Sequence, residues 1–559
     1  FSHFGVKCRI KTALIFKPFR PFNICPLSDR ELRVTMRPTR RTFLDTIGRL
    51  AGLALATPAF AQPIGGSDQT SAKFGYADVV RRARDLGAAS YDTTSPALPD
   101  LLTKLDYDSW RDIRFRQDKS LLGGGGGPFK MQMHHLGFLF KQAITVNIIR
   151  DGVPTPIPYS ASLFDYGKNK FERPLPVNLG FAGFRVSYPL NDPRQQDELI
   201  SFLGASYFRF LGRGQRYGLS ARGLALGTAP NTAQPEEFPN FREFWIEQPS
   251  SGAERVVIHA LLDSPSVTGA YQFIVYPAQE TVMDVTVTLF ARRSLNRVGI
   301  APLTSMFFVG ENDRRFTADF RPELHDSDGL LMQTGAGEWI WRPLRNPVQA
   351  TTSSFLDSNP RGFGLMQRDR LFEHYQDLDL GYESRPSYWI EPRGDWGDGR
   401  IDLVELPTAD ETNDNIVAFW SPRNPLEPGQ AQTWGYRIKA LTQESKLHPG
   451  GRAVNSYQTV AKALGSNEAP ASGSKRFIID FAGGDLSYYQ SAPDTVQIVP
   501  TTTAGKITRT FLVPNSHIDG FRAGIDVALE PGQTADLRAF LKSGTRALTE
   551  TWTYPWKAE

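Results

Sequence analysis

The stretch 256-VVIHALLDSPSVTGAYQFIVYPAQETVMDVTVTL-289 indicates the fold class. It begins with an apolar, β-branched run at 256–262 and ends with strict alternation at 285–289, as expected of strands whose side chains point to opposite faces in turn. Turn-forming residues separate similar runs from about residue 130 onward. One helix is predicted over residues 76–86, with Gly87 as its cap. The pattern predicts an all-β protein with a large antiparallel domain over residues 72–446.

A second β region follows a change in composition. Residues 447–474 are rich in Gly, Ala, Ser, Asn and Pro, which predicts a linker. We expect a small immunoglobulin-like sandwich over residues 475–559, in architecture only, because the Cys…Trp…Cys pattern is absent. The prediction depends on short strand-like runs at sandwich spacing, at 476–481, 495–499, 506–513, 521–529, 534–541 and 549–554.

Charge divides between a basic leader and an acidic remainder. The 559-residue chain has 63 Lys and Arg residues and 59 Asp and Glu residues. Residues 1–61 hold 11 of the basic residues and three acidic ones, which leaves 52 basic and 56 acidic residues, a net charge of −4. This net charge does not support a basic surface that binds nucleic acid, so we expect no nucleic-acid partner. No run of about 20 apolar residues occurs, which excludes a polytopic membrane protein.

The leader is typical of an exported protein. Residues 36–61, MRPTRRTFLDTIGRLAGLALATPAFA, place Arg40 and Arg41 before a short apolar segment and a small-residue cleavage site, as in a twin-arginine signal peptide. We expect export to the periplasm by that route. Residues 1–35 are interpreted as an upstream extension of the true start. They contain both cysteines, so we expect an exported chain without thiol or disulfide.

Carboxylates are the best candidates for chemistry. The eight histidines lack zinc-site spacing and no Gly-x-Ser-x-Gly elbow occurs, so we expect no metal and no cofactor, and serine catalysis is unsupported. Two acidic clusters lie between strand-like runs, where loops can present reactive groups. Asx-turns, solvated loops or a calcium site remain alternatives for both clusters. The clusters are HDSDGL at 325–330, with Asp326 and Asp328, and ADETNDN at 409–415, with Asp410, Glu411 and Asp414.

Aromatic residues near both clusters favour carbohydrate chemistry. Aromatic faces pack on the C–H faces of sugar rings, while guanidinium and amide groups bind hydroxyls. Paired carboxylates with aromatic platforms favour glycoside cleavage, in which a carboxylic acid protonates the leaving oxygen. The alternative is that these aromatic side chains belong to the sandwich core. The candidate substrate-binding residues are Trp339, Trp341, Arg342, Asn346, Arg385, Tyr388, Trp389 and Trp396.

Nine longer segments in fixed order carry a family resemblance. They are LGFAGFRV (179–186), SFLGASYFR (201–209), YGLSARGLA (217–225), VTGAYQF (267–273), ELHDSDGL (323–330), GEWIWRPLRNP (337–347), NPRGFGLMQRDR (359–370), RPSYWIEPRGDWG (385–397) and DETNDNIVAFW (410–420). From about residue 72 to its end, the chain resembles the osmoregulated periplasmic glucan biosynthesis proteins of the OpgG/OpgD (MdoG/MdoD) type. The twin-arginine leader favours the D type.

The resemblance implies a galactose-mutarotase-like β-sandwich followed by the immunoglobulin-like domain, in agreement with the strand pattern. It also implies an inverting endo-β-1,2-glucanase that acts on the β-1,2-linked glucose backbone of periplasmic glucans. By position in the family motifs, Asp414 matches the general acid and Asp326 the general base. Tyr382 and Glu411 match a proton relay and the surroundings of the acid. We expect burial beside Glu411 to keep Asp414 protonated near neutral pH.

Two other functions remain open from the sequence. A transglycosylase would use the same acid but transfer the chain to a sugar hydroxyl, which forms cyclic or branched glucan. A non-catalytic glucan-binding scaffold would assist a membrane glucan synthase. The expected partner is β-1,2-glucan in each case, and the synthase and a second copy of the chain are further candidate partners.

Overall fold

Mostly antiparallel strands account for about half of the structure. The computed structural model describes residues 73–94, 98–123, 126–228, 235–314, 318–444, 447–462 and 473–558. Among these residues, no helix is long and apolar enough to cross a membrane. The predicted leader at 1–61, with its signal peptide at 36–61, lies outside the described residues. Residues 70–559 form one compact unit.

The helices are α1 (Tyr76–Ala88), α2 (Asp100–Thr103), α3 (Tyr107–Arg111), α4 (Phe372–Tyr375) and α5 (Leu486–Tyr489). The first strands are β1 (Arg114–Phe115), β2 (Lys130–His134), β3 (Thr145–Arg150), β4 (Val153–Pro156), β5 (Phe164–Asp165), β6 (Gly183–Tyr188), β7 (Asp197–Leu203), β8 (Tyr207–Phe210), β9 (Ser220–Arg222), β10 (Ala225–Leu226), β11 (Asn240–Glu247) and β12 (Val256–Asp263). The central strands are β13 (Val267–Tyr276), β14 (Val282–Ala291), β15 (Val298–Ser305), β16 (Phe307–Val309), β17 (Leu324–His325), β18 (Gly329–Gln333), β19 (Trp339–Pro343), β20 (Thr351–Ser358), β21 (Gly362–Met366), β22 (Ser387–Arg393), β23 (Asp398–Glu405), β24 (Ile416–Pro422) and β25 (Ala431–Leu441). The last strands are β26 (Arg452–Val460), β27 (Ser474–Ala482), β28 (Val496–Thr502), β29 (Lys506–Asn515), β30 (Gly520–Ala528), β31 (Thr534–Ser543), β32 (Arg546–Ala547) and β33 (Thr551–Lys557).

Two large sheets enclose the main core. The first has the order β2-β6-β7-β8-β9-β15-β24-β23-β20, with β10 beside β15. The second runs β28-β31-β33-β19-β18-β21-β22-β25-β14-β13-β12-β11-β3-β4, with β32 beside β31. Side chains from both sheets meet in one apolar core, as Phe202 of β7 and Phe273 of β13 do with ring centroids 5.2 Å apart. The predicted all-β sandwich fold is confirmed.

Helix α1 explains why residues 256–262 are apolar without alternation. It packs on the outer face of the second sheet, where it covers Leu261 of β12, while Leu262 points into the main core. A strand that is buried on both faces carries a continuous apolar run. The predicted helix is present but extends to Ala88. Gly87 therefore lies inside the helix, where α1 approaches β13 too closely for a side chain.

The last eight strands form a second, smaller sandwich. The sheet β26-β27-β30-β29 packs against β28-β31-β33, with Phe477 and Trp552 in the shared core. Strand β33 pairs in parallel with β19, so one layer of this sandwich continues the second large sheet. Each of the six strands predicted after residue 475 overlaps one of the observed strands β27 to β31 or β33.

The predicted linker at 447–474 requires correction. Strand β26 lies within it and pairs antiparallel with β27, so the small sandwich begins at Arg452 rather than at residue 475. The polar composition that suggested a linker belongs in part to a strand with one covered face, on which Ala453 and Ser456 are buried. Residues 463–472 of the predicted linker lie outside the described residues.

Candidate active site

Asp326 lies directly after the short strand β17. Its backbone N–H donates to the carbonyl of Met306 at 2.8 Å, and its side chain is buried. The guanidinium of Arg385 donates a hydrogen bond to Oδ1 of Asp326. A charge-assisted bond of this kind orients the carboxylate and balances its charge. The structure therefore brings together two residues that were predicted for different roles.

Tyr382 and Glu411 extend this contact into a chain of polar groups. The Arg385 guanidinium lies over the Tyr382 ring, 3.7 Å from its centroid. The Tyr382 hydroxyl donates to Oε2 of Glu411 at 2.6 Å, and Arg321 Nη1 lies 3.0 Å from the same oxygen. Burial, and then the hydrogen bond to the Glu411 carboxylate, raises the pKa of Tyr382 above its usual value. The phenol therefore keeps its proton at neutral pH.

Two buried asparagines hold the loop at 406–415, which carries Glu411 and Asp414. Asn415 Nδ2 donates to the carbonyl of Leu406 at 2.9 Å and to that of Phe307 at 3.0 Å. Asn346 exchanges two hydrogen bonds of 3.0 Å with the backbone of Thr408. Asn346 was predicted to bind sugar hydroxyls, but its side chain is fully buried and positions the loop instead.

Asp414 is exposed in this loop, so the predicted burial beside Glu411 is wrong. The carboxylate of Glu411 faces Tyr382 and Arg321 instead. Burial lowers the pKa of Arg385 to about 10, while the negative charges of Glu411 and Asp414 oppose this shift. Asp414 therefore lies within electrostatic reach of the same guanidinium that binds Asp326.

A further group of polar residues, which local sequence does not indicate, interacts electrostatically with Asp414. Burial raises the pKa of Tyr207, and the charges of Asp414 and Glu236 add to this shift. The Arg222 guanidinium lies over the Tyr207 ring, 4.8 Å from its centroid, and the charge of Arg209 acts on both Tyr207 and Arg385. These residues belong to the quoted segments at 201–209 and 217–225, but local sequence does not show that β8 and β9 lie near a loop about 200 residues later.

A buried charge network lies behind Asp326. His325 Nε2 is 3.0 Å from a Glu323 carboxylate oxygen, and Nδ1 is 3.0 Å from Gln367 Oε1. Burial disfavours the charged ring, but the carboxylates of Asp328 and Glu323 outweigh it and raise the pKa of His325 to about 10. The imidazolium therefore persists at neutral pH and anchors the strand end that precedes Asp326.

The same network offers the donor atoms that a metal ion would require. Ligand atoms of Glu323, His325 and Asp328 lie within 4.8 Å of one another. A protonated imidazole has no lone pair for a metal, and both ring nitrogens already face acceptors. These residues fit a charge network better than a metal centre.

The charge of His325 predicts how the stability of the fold depends on pH. The pKa of His325 in the folded protein lies above the reference value of 6.5. Its contribution to the free energy of unfolding is therefore complete below pH 6.5 and is lost as the pH rises toward 10. We expect His325→Gln to reduce this loss by up to about 1.4 kcal/mol per pH unit within the window. Urea unfolding across that range measures it. His517→Gln, at an exposed position, should follow the wild type, and an equally steep decline in His325→Gln would contradict the prediction.

Most predicted sugar-stacking rings lie in protein cores. Trp341 and Trp389 fill the core of the small sandwich, and Tyr388 and Trp396 fill the main core. None of the four is more than 5% exposed. The Tyr388 hydroxyl donates to the carbonyl of Phe210 at 2.6 Å. These rings offer no face to a ligand, so core packing, the alternative reading, holds for all four.

Arg342 and Trp339 also lie apart from the acidic residues. Arg342 is 1% exposed and donates to the buried carboxylate of Glu405 at 2.8 Å, which is a structural ion pair. Trp339 is half-buried at the start of β19, beside the turn that follows β18. Of the predicted substrate-binding residues, Arg385 is the one that the structure places with Asp326 and Asp414.

Comparison with known proteins places this chain in a family. Residues 74–556 match the family described as "Periplasmic glucan biosynthesis protein, MdoG". The chain is 44% identical over 496 residues to Glucans biosynthesis protein G of Ralstonia nicotianae, covering 87% of this chain and 97% of that protein. It is 44% identical over 490 residues to the Probable glucans biosynthesis protein D of Shewanella oneidensis, covering 87% and 89%. Relatives of both types therefore match equally, and the chain belongs to the MdoG family of periplasmic glucan biosynthesis proteins.

Proposed function

We propose that the protein is an inverting endo-β-1,2-glucanase that trims the β-1,2-linked glucose backbone of periplasmic glucans. The observation that carries this proposal is that two carboxylates interact with one guanidinium, that of Arg385. Asp326 is buried and bound to the guanidinium, whereas Asp414 is exposed on a loop within its electrostatic reach. Glycoside cleavage with inversion requires two carboxyl groups in such different environments, one as acid and one as base.

Asp414 acts as the general acid in this proposal. Its exposed carboxyl group can meet the glycosidic oxygen of a chain that lies across the loop. A bound glucan displaces water from the carboxyl group, which favours the neutral, proton-bearing form. The proton passes to the leaving oxygen while the bond from that oxygen to the anomeric carbon breaks. Substrate, rather than neighbouring protein, therefore supplies the burial that the acid needs.

Asp326 acts as the general base. A water molecule attacks the anomeric carbon from the face opposite the leaving group, and Asp326 accepts the proton that this water loses. The hydrogen bond from Arg385 orients the Asp326 carboxylate toward this role. Where the water does not touch Asp326 directly, the proposed relay is Tyr382, whose hydroxyl is hydrogen-bonded to the Glu411 carboxylate and whose ring lies against the Arg385 guanidinium. Polar groups from Tyr207 and Arg209 replace the predicted aromatic platforms as partners for sugar hydroxyls, whereas Arg222 is buried and paired with Glu236.

The test is incubation of the purified chain with linear β-1,2-glucan. Products are separated by chromatography, and NMR follows the anomeric form of the new reducing ends. We expect short linear oligosaccharides whose first-formed anomer is inverted. Larger or non-reducing products would replace this proposal with transglycosylation. An unchanged polymer that still binds would replace it with the scaffold for a membrane synthase.

We also propose export by the twin-arginine route. The family is periplasmic, and Arg40 and Arg41 precede a short apolar segment in the leader. Replacing both arginines with lysine should leave the precursor in the cytoplasm, where cell fractionation detects it. Normal recovery of the variant in the periplasm would point to the general secretory route.

A further inference from the structure

A cavity lies at the end of the β18–β19 hairpin that is farther from Asp326. Gly329 pairs with Pro343 at the end near Asp326, whereas Gln333 pairs with Trp339 at the opposite end. Four residues of strand separate these ends by about 13 Å. The cavity has a volume of about 520 Å³, within the range of small-ligand sites. It is formed by the hairpin turn, the loop at 448–450, the residue before α5 and strand β32.

Trp339 provides a rigid aromatic wall for this cavity. Its ring stacks on the buried Trp389 with centroids 5.6 Å apart, and it meets His448 edge to face at 5.3 Å. Trp339 nevertheless remains half-buried and lines the cavity. An aromatic ring that is fixed before binding loses little conformational entropy when a ligand stacks on it. Of the predicted aromatic platforms, Trp339 is the one that keeps contact with open space.

The polar groups of the cavity favour an uncharged ligand. Asp485 pairs with Arg546, and Glu338 pairs with Arg538, so each carboxylate already has a counter-charge. Burial lowers the pKa of His448 to about 4, which leaves its ring neutral at neutral pH. Paired charges at a partly open rim hold their planar groups in place for hydroxyls, but they leave no net charge to attract an anion or a cation.

We propose that this cavity is an accessory carbohydrate-binding site, separate from the candidate active site at Asp326 and Asp414. A fixed indole face with charge-balanced polar groups around it suits a neutral, hydroxyl-rich chain, whose C–H faces stack while its hydroxyls bind the rim. The accessory site holds a segment of the same glucan away from the candidate active site. The choice of β-1,2-glucan as the ligand rests on the proposed function, whereas the carbohydrate class rests on the cavity itself.

The test is calorimetric titration of the full chain with linear β-1,2-gluco-oligosaccharides, in an Asp414→Asn background that prevents cleavage. We expect two binding events. Trp339→Ala should weaken one event at least tenfold. Ala547→Trp should do the same by filling the cavity from an exposed strand, where an added side chain does not disturb the core. Tyr488→Ala removes an aromatic side chain that is 78% exposed outside the cavity, and it should keep both events.

One binding event in the parent, or two unchanged events in both cavity variants, overturns the proposal. Ala547→Trp decides the matter if the loss of Trp339 impairs folding. Cleavage by the chain with Asp414 intact is measured separately. Cleavage without a cavity-dependent event refutes the accessory site alone, whereas a cavity-dependent event without cleavage refutes the glucanase alone.

Discussion

Asp414→Asn should lower the rate of β-1,2-glucan cleavage by about 10²- to 10⁴-fold, the range that a positioned general acid contributes. An amide of nearly the same shape binds the chain but has no proton to give to the leaving oxygen. The exposed position of Asp414 means that folding should be unaffected. Initial rates from reducing-end assays, together with titration of the oligosaccharide, separate the loss of turnover from any loss of binding.

The matched control for this variant is Asp410→Asn in the same loop. Asp410 accepts hydrogen bonds from the backbone N–H and hydroxyl of Thr412, as an Asx-turn does, and asparagine can still accept them. Its rate should therefore equal that of the wild type. Full activity of Asp414→Asn, or an equal loss in both variants, would remove Asp414 from the role of acid.

Glu405→Ala should reduce the free energy of unfolding by about 3–5 kcal/mol, the usual result of removing one partner from a buried ion pair. Glu405 is fully buried and accepts hydrogen bonds from Arg342, from the side chain of Arg345 and from the backbone N–H of Arg345. Its loss leaves the Arg342 guanidinium charged, buried and without a carboxylate. Urea unfolding followed by tryptophan fluorescence measures the change.

Asp284→Ala is the control for this prediction. Asp284 pairs with Arg437 through two hydrogen bonds across β14 and β25, but both side chains are 31% exposed. Solvent compensates the loss of such a pair, so we expect a change of no more than about 1 kcal/mol. Equal losses in the two variants would show that the buried Arg342–Glu405 pair stabilises the fold no more than an exposed pair does, and would contradict the prediction.

Motif positions predict which residues act as acid and base, and the structure shows the surroundings of those residues. Asp326 and Asp414 lie in different sequence segments. Neither segment indicates that the Arg385 guanidinium binds Asp326 and interacts electrostatically with Asp414. Tyr207 was missed for the same reason, because its approach to Asp414 depends on the order of strands in the first sheet. The predicted burial of Asp414 beside Glu411 depends on their closeness in the sequence. In the structure, the Glu411 carboxylate binds Tyr382 and Arg321 instead.

The aromatic platforms show how a correct pattern can lead to a wrong role. Trp339 and Trp341 stand two residues apart on β19 and therefore point to the same face of the sheet. The small sandwich covers Trp341, with residues more than 100 positions later in the chain, and leaves Trp339 at the open end. Sequence shows which face of a strand is apolar, but not what packs against it.

The sequence by itself determined the strands, the two-sandwich architecture and the residues that match the family. These follow from alternation, turn residues and motif order, which are properties of neighbouring positions in the chain. The tertiary structure alone decided that β26 lies in the supposed linker, that four aromatic rings are core, and that Asp326 is bound to Arg385 while Asp414 is open to solvent. Those features depend on pairings such as β19 with β33, which join residues about 200 positions apart, and on which sheet covers which face.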